Sequence, residues 1–576
     1  MELIRNLKFA WRYAKGQKLN LIIFVICNIL KIIVSVISPI FSARVIIELT
    51  SNNYMQIIFI AIIITIVDGL YSLFDYIGRR CSIVLYRKTL SLLEVDIASN
   101  VLKLENECLD RNGNGVFIQR LTNDTSRLAD IFNEVIGMMS DFIRYIGIFI
   151  AIFIVNKLFL VYVLVILIIL SVLEKIRTIK RNSDDKICRK ASEKTTGFVG
   201  ELVRGARDIK VLNSEKDFIN ELSNRIDEAN YLRMKMRKRN WNYRLLIDEL
   251  VNIFYFVIIV LLVMLIKKEV IVAGTALVLY NYFNNSYGFI YLIGNFMERI
   301  KDFNLSCNRI FDILKNDEFK HEKFGDKHLD KVHGDFEFKD VTFGYKDKKV
   351  LNKLSFKIEA NSTVAFVGKS GSGKTTIFNL LCKMYDIESG LITIDGVDIK
   401  ELDKDSIRGN ITVISQNPYI FNMTIRENLK LVKSDLTDSE MKKACKMACL
   451  DDFIKSLPDG YDTMIGEGGV NLSGGQKQRL AIARALIQKT EIILFDEATS
   501  ALDNETQDKI QKAIENMKNE YTILIIAHRL STIINSDKIM VLDNGKIECE
   551  GTHKELLEKS DKYRKLYETE LLDDRK

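Results

Sequence analysis

Six apolar runs crowd the first half of the chain, at about 19–41, 57–78, 134–155, 158–174, 248–266 and 270–293. Each approaches the roughly 20 residues that an α-helix needs to cross a bilayer. Hydrocarbon offers backbone N–H and C=O groups no partner, which confines such runs to helices. The stretch FIRYIGIFIAIFIVNKLFLVYVLVILIILSVL holds two spans, because Asn156-Lys157 interrupts it where a tight outer turn would sit. A mean hydropathy of +0.05 over 576 residues, 27% of them charged, is then an average over two unlike parts. An apolar fraction of 48% with 9% aromatics excludes a disordered chain.

Basic residues orient the spans. Arg5, Lys8, Arg12, Lys15 and Lys18 precede the first run, and the long segments at about 79–133 and 175–247 are rich in Lys and Arg. The short connections near 42–56 and 156–157 are not, and Lys267 and Lys268 are a mild exception in the third, at 267–269. The positive-inside rule puts the N-terminus, both long segments and the C-terminal half in the cytoplasm. The first run has neither a short apolar core nor a small-residue cleavage site, so it is expected as an uncleaved membrane helix. Within these segments LYRKTLSLLEVDIASNVLKL and the stretch from Glu215 to Arg239 keep helical periodicity and predict membrane helices that run on into the cytoplasm. Two Gly-bearing interruptions, NGNGVFIQRLTNDT and TTGFVGELVRGARDIK, are turns or docking elements.

Charged and amide side chains inside spans favour a protein interior or a wet cavity. Lys31 and Asp68 lie deep and are expected to pair, whereas Asp75, Asp141, Arg144 and Asp248 fall near span ends and suit interfacial anchoring. The 9 Cys are scattered without a C-x-x-C pair, which argues for small buried hydrophobes rather than a zinc site; Cys445 and Cys449 would share a helix face. His321, His328 and His333 sit in a charged stretch, KNDEFKHEKFGDKHLDKVHG, expected as a solvated linker and not as a metal site. The organisation predicted is a transmembrane domain at 1–312, a linker at 313–333 and a second domain at 334–576, where β-rich and helical runs alternate as in an α/β domain.

Three motifs carry the chemistry of the second half. In STVAFVGKSGSGKTTIFNLL a β-rich run leads into Gly368-x-x-x-x-Gly373-Lys374-Thr375 and an amphipathic helix, the full setting of a P-loop. Glycines let backbone N–H groups surround phosphate oxygens, and the helix N-terminus adds its positive dipole end. Lys374 supplies a compact cation to the β/γ-phosphates and Thr375 a hydroxyl to Mg²⁺, with Ser370, Gly371 and Thr376 completing the nucleotide-binding set. In EIILFDEATSALD a buried strand ends in Asp496 and Glu497, whose side chains point to opposite faces. Asp496 suits the Mg²⁺ shell and Glu497 a water poised for in-line attack. In Leu472-Ser473-Gly474-Gly475-Gln476 a Ser N-cap opens a regular helix, a second phosphate-binding device that a head-to-tail pair of chains would use.

Residues 335–560 closely resemble the nucleotide-binding domain of ATP-binding cassette (ABC) transporters, of which LSGGQ is the signature. Six spans ahead of one cassette resemble a half-size exporter of the type IV multidrug and lipid-flippase architecture: an all-α six-helix transmembrane domain followed by an α/β P-loop cassette. The resemblance implies that Tyr345 stacks on adenine, that Gln416 is the Q-loop residue sensing Mg²⁺ and water, and that His528 is the switch histidine at the γ-phosphate. It also implies that Ser500 to Asp503 form the D-loop, with Asp503 near the nucleotide, that Glu467 is an acid contacting a transmembrane loop, and that the two interruptions are coupling-helix regions.

The partners implied are a second copy of the chain or a homologous half-transporter, the lipid bilayer of a bacterial cytoplasmic membrane, and a small amphipathic substrate. ATP and Mg²⁺ are the cofactors. The expected activity is ATP-driven export of a drug, peptide or lipid by alternating access. One half of a heterodimeric exporter and an exporter-fold importer of a siderophore-like ligand are the alternatives. A drug or peptide ranks above a lipid A-like glycolipid, because no dense basic cluster lies deep in the early helices. A net charge of +7 against 82 Lys+Arg and 75 Asp+Glu gives no reason to invoke nucleic acid, and without a cysteine-peptidase domain ahead of the first span a leader-trimming exporter is not expected.

Overall fold

A computed structural model describes residues 2–50, 53–112, 114–315, 318–346, 348–415, 418–466, 469–496, 504–526 and 533–573. The chain divides into two compact units, residues 1–103 with 112–319, and residues 104–111 with 320–576.

The first unit is helical. After α1 (Glu2–Ala14) come α2 (Lys18–Thr50) and α3 (Tyr54–Val101); short α4 (Asn106–Asn112), which but for its last residue belongs to the second unit, precedes α5 (Asn114–Gln119). A π-turn at Arg120–Asp124 leads into α6 (Thr125–Val155) and α7 (Lys157–Arg204). Then follow α8 (Ala206–Val211), α9 (Glu215–Lys267), α10 (Ala273–Ser286) and α11 (Phe289–Leu314). Among the described residues, five helices are long and apolar enough to cross a membrane. The extensions of α3 and α9 beyond bilayer length are those the periodicity predicts, and α7 extends likewise. The break at Asn156 is built as expected: its backbone is extended, and its side chain caps α7 by accepting from Phe159 N.

The sixth run departs from the expectation of one span. It is split between α10 and α11 at Tyr287-Gly288. Asn285 and Ser286 turn their side chains onto the backbone carbonyls of Asn281 and Phe283, a competition that weakens a helix end. A Cβ at Gly288 would collide with the Tyr145 hydroxyl, so α6 approaches the chain closely at the break.

Lys31 does not pair with Asp68. Its ammonium lies 2.6 Å from Asp75, which also holds Arg79 at 2.7 Å. Asp68 stands exposed, seven residues earlier in α3, a displacement of about 10 Å along the helix axis. Asp75 therefore ties α2 to α3 rather than anchoring at the interface. Near the π-turn, buried Arg120 donates to Arg309 O (2.8 Å) and lies over the Phe319 ring (4.5 Å).

The second unit is built on two sheets. The first is antiparallel and is made of β1 (Phe336–Tyr345), β2 (Lys348–Ile358), β4 (Ser389–Ile394) and β5 (Val397–Asp398), in the order β2-β1-β4-β5. The second contains β3 (Thr363–Val367), β6 (Ile411–Ile414), β9 (Ile492–Asp496), β10 (Thr522–Ile526), β11 (Lys538–Asp543) and β12 (Lys546–Gly551), ordered β12-β11-β3-β10-β9-β6. A two-stranded pair joins β7 (Met423–Thr424) to β8 (Met464–Ile465). The helices are α12 (Lys374–Leu381), α13 (Lys404–Arg408), α14 (Ile425–Lys430), α15 (Asp438–Met447), α16 (Asp451–Ser456), α17 (Gly474–Gln488), α18 (Asn504–Met517), α19 (His553–Lys559) and α20 (Asp561–Asp573).

Strands β3 and β10 are buried on both faces, the signature of parallel strands covered on both sides. Val364, Phe366, Leu494 and Leu524 face a core shared with β1, β2 and α12. Ala365, Val367, Phe495 and Ile525 face a second core shared with α15 and α17. Of this unit's cysteines, Cys382 and Cys445 are buried, and burial pushes each thiol up to about 12. Cys449 does not share the Cys445 helix face, since α15 ends at Met447 and Cys449 has φ 54°.

Within the predicted linker, residues 320–333 are held against the cassette. Glu322 forms a two-pronged pair with Arg408 (2.7 and 2.8 Å), and Asp395 accepts from the backbone N–H groups of His333, Gly334 and Asp335. His328 Nδ1 lies 2.8 Å from Asp403, which raises the histidine's pKa. Hydrogen bonds from Ser406, side chain and backbone N–H, and then the contact with His328 lower Asp403 to about 2. A raised imidazole pKa contributes stability fully below its unfolded value, and that contribution fades as pH rises through the folded one. NMR titration should place His328 above an ordinary imidazole, and Asp403→Asn should return it to that range.

Candidate active site

The phosphate loop is set by the parallel register of the larger sheet. Phe366 of β3, Ile526 of β10 and Asp496 of β9 stand in one rung. The three strands therefore end at one edge, and an open parallel sheet binds ligands beyond its carboxyl ends. The chain leaves β3 through Gly368, at φ 153°, where a Cβ would strike the Leu542 carbonyl oxygen. It enters α12 through Gly373, at φ 107°, where a Cβ would meet Leu351. Both positions require glycine for the left-handed region and for close packing.

Inside this loop Lys374 is buried, and its ammonium donates to Gly368 O (2.8 Å) and Lys369 O (3.0 Å). The cation is thereby held against the loop instead of extending into solvent. Thr375 Oγ1 donates to Asp496 Oδ1 at 3.2 Å. The structure thus brings together the two residues expected at Mg²⁺, a hydroxyl and a carboxylate, the hard oxygen donors that this cation prefers. Ser372 Oγ is buried with no hydrogen-bond partner among the described residues, and nothing lies within 4 Å of a Cβ built on Gly371. A buried hydroxyl without a protein partner in this loop is a donor that a phosphate oxygen would satisfy. Ser370 and Gly371 form the exposed crest of the loop, and Thr376 is buried in the first turn of α12.

The second phosphate-binding device forms as its residues suggest. Ser473 Oγ accepts from Gln476 N (3.3 Å), and Gln476 Oε1 accepts from Ser473 N (2.8 Å), a reciprocal capping box on α17. Gly474 and Gly475 form the first turn of that helix. Tyr345 closes β1, with its ring at right angles to Phe343 (5.0 Å between centroids) and Tyr385 (5.2 Å). Its hydroxyl accepts from Asn379 Nδ2 of α12 at 3.3 Å.

Gln416, Glu467, Glu497, Ser500 to Asp503 and His528 lie outside the described residues. The strands that lead to Glu497 and His528 are the two whose ends share the rung with β3.

Sequence reasoning missed the residues that brace these motifs. Arg484 of α17 donates to the Asn428 carbonyl oxygen and to Tyr419 O, both at 3.1 Å, and its other nitrogen reaches Asn428 Oδ1. It joins the signature helix to α14 and to the loop that follows β6. A cation within the largely apolar run LAIARALI was the available signal. Asn379 and Tyr385 carried none, because their partners are distant in sequence.

Comparison with known proteins agrees with this geometry. The pattern of the ABC transporter family matches residues 351–500, and that of the ABC transporter transmembrane region matches residues 21–287. An ATP-dependent lipid A-core flippase of Desulfotalea psychrophila is 34% identical over 459 residues, covering 79% of each chain. A protein of the same name from Photorhabdus laumondii is 31% identical over 522 residues, 89% of this chain and 88% of the relative. One from Haemophilus influenzae is 46% identical over 265 residues, 46% of this chain and 45% of the relative. With a multi-pass membrane region and an ATP-binding cassette joined in one polypeptide, this transport ATPase belongs to the ABC transporter family.

Proposed function

We propose that the protein is a half-size exporter, active as a dimer of two copies, that uses ATP and Mg²⁺ to move an amphipathic, lipid-like substrate across a bacterial cytoplasmic membrane. The observation that carries this reading is the meeting of Thr375 with Asp496 at the common end of three parallel strands, in a chain whose first half is apolar helices. The relatives named as lipid A-core flippases support a lipid substrate, and the basic cytoplasmic segments support cytoplasmic termini.

Each residue has a task in this scheme. The loop from Gly368 to Gly373 surrounds the phosphates with N–H groups, and Lys374 adds a cation. Thr375, Asp496 and Gln416 would hold Mg²⁺, which when bound neutralises charge on the phosphates. Glu497 orients and deprotonates the attacking water, and His528 contacts the γ-phosphate from the neighbouring strand end. Tyr345 stacks on adenine. Ser473 to Gln476, with Asp503, close the site of the second copy. ATP drives the change in access because it binds the closed pair of cassettes better than the open one.

One cavity favours a second reading of the substrate. A space of about 350 Å³ between α6 and α11 is lined by Asp130, Glu134 and Asp141 together with Arg299. Arg299 is committed to Glu134 at 2.6 Å. Such a lining suits a neutral or cationic head group better than a phosphorylated one.

Two measurements test the scheme. Glu497→Gln should lower steady-state ATPase of the purified chain by about 10²-fold or more while ATP still binds, as expected for loss of a general base. Lys374→Ala should instead weaken nucleotide binding by about tenfold or more, the cost of lost charge-assisted hydrogen bonds. Normal turnover in Glu497→Gln would remove Glu497 from its role, and an inactive monomer of the native chain would indicate a different partner half. For the substrate, ATPase in proteoliposomes should rise with a lipid A-type glycolipid if the lipid reading holds. Stimulation by a cationic amphiphile alone, lost in Asp130→Asn, would favour the second reading.

A further inference from the structure

The ring of Tyr345 is fixed from three directions. Phe343 and Tyr385 stand at 87° and 88° to it, and Asn379, on the helix that follows the phosphate loop, donates to its hydroxyl. Tyr385 is itself fixed. Its hydroxyl donates to Asp110 Oδ2 at 2.7 Å, and its ring also meets Phe343 at 5.8 Å. Burial and the neighbouring carboxylate raise the phenol's pKa, so it remains a donor at neutral pH.

Asp110 does not come from the cassette sequence. It belongs to residues 104–111, which lie between α3 and α6 in the membrane half of the chain yet form one compact unit with the cassette. That segment is seated by backbone pairing. Glu105 N donates to Lys320 O at 2.9 Å, and Leu104, 1% exposed, bridges to His321. Asn106 Nδ2 reaches Met384 Sδ at 2.9 Å, next to Tyr385.

We infer that Tyr385 is a positioning residue that links the seating of residues 104–111, through Asp110, to the orientation of Tyr345 against the nucleotide base. The inference rests on the reading of Tyr345 as the adenine platform. A ring held by a neighbour loses little conformational entropy when a base stacks on it, so pre-organisation by Tyr385 favours binding. Because the coupling is an equilibrium quantity it is reciprocal: adenine on Tyr345 favours seating of residues 104–111 as much as seating favours adenine. The effect concerns the base alone, since the phosphates are held by the loop before α12.

The test uses the full chain in lipid nanodiscs, with MgATP and the base-free magnesium tripolyphosphate as ligands. Tyr385→Phe keeps the ring and removes the hydroxyl, and Asp110→Ala removes its acceptor. Each should raise KM for ATP about fivefold or more, with kcat little changed and tripolyphosphate binding unaffected. The double variant should be no worse than either single one, as for two residues sharing one interaction. An unchanged KM in Tyr385→Phe, an equal loss with tripolyphosphate, or additive losses would overturn the inference. Tyr345→Ala separates the two levels. If it weakens ATP but not tripolyphosphate while Tyr385→Phe changes nothing, the linkage alone fails. If Tyr345→Ala spares ATP, the platform reading itself fails.

Discussion

The cassette depends on one register. In the larger sheet, Phe366, Ile526 and Asp496 stand side by side, and a shift of one residue in any of the three strands would exchange the two buried faces along its whole length. Val364 and Phe366 would then point where Ala365 and Val367 now pack, a mismatch that neither core tolerates without repacking. The same register brings the Thr375 hydroxyl to Asp496. Packing and site geometry are therefore secured by the same side chains, and the site inherits the stiffness of strands buried on both faces.

The membrane half obeys a different constraint. Backbone groups have no partner in hydrocarbon, so every long apolar run is helical, and irregular backbone occurs where neighbouring protein approaches. The break between α10 and α11 follows this rule: Gly288 sits against Tyr145 of α6, while Asn285 and Ser286 bond to carbonyls of their own helix. Charges obey it too. Lys31 is placed beside Asp75, and Arg79 adds a second cation to the same carboxylate. Leaving either Lys31 or Asp75 alone at that depth would carry the cost of an unpaired charge in a poorly solvated place.

Local patterns were legible wherever both partners of an interaction lie within a few residues. Asn156 caps the helix that begins next to it, Ser473 and Gln476 close a capping box three apart, and the glycines of the loop take the positive-φ backbone that lets it turn. Failures share the opposite property. Pairing Lys31 with Asp68 rather than Asp75 was an error in the relative height of two antiparallel helices, which no single-helix pattern encodes. The stretch 320–333 looks solvated because it is charged, yet its charges are used: Glu322 grips Arg408, and Asp403 holds His328. The bracing roles of Arg484 and Tyr385 were hidden for the same reason, since Asn428 and Asp110 are 56 and 275 residues away.

By itself the sequence determined the class of each half, the break points of most helices, and the chemistry of the phosphate loop, because each follows from periodicity, capping or glycine placement over short distances. Only the tertiary structure decided which carboxylate faces Lys31, that the sixth apolar run is split, and that a segment from between α3 and α6 joins the cassette beside Tyr385. Those outcomes depend on the relative height and approach of elements far apart in the chain. They are set by the sum of many packing contacts, and no local pattern carries that sum.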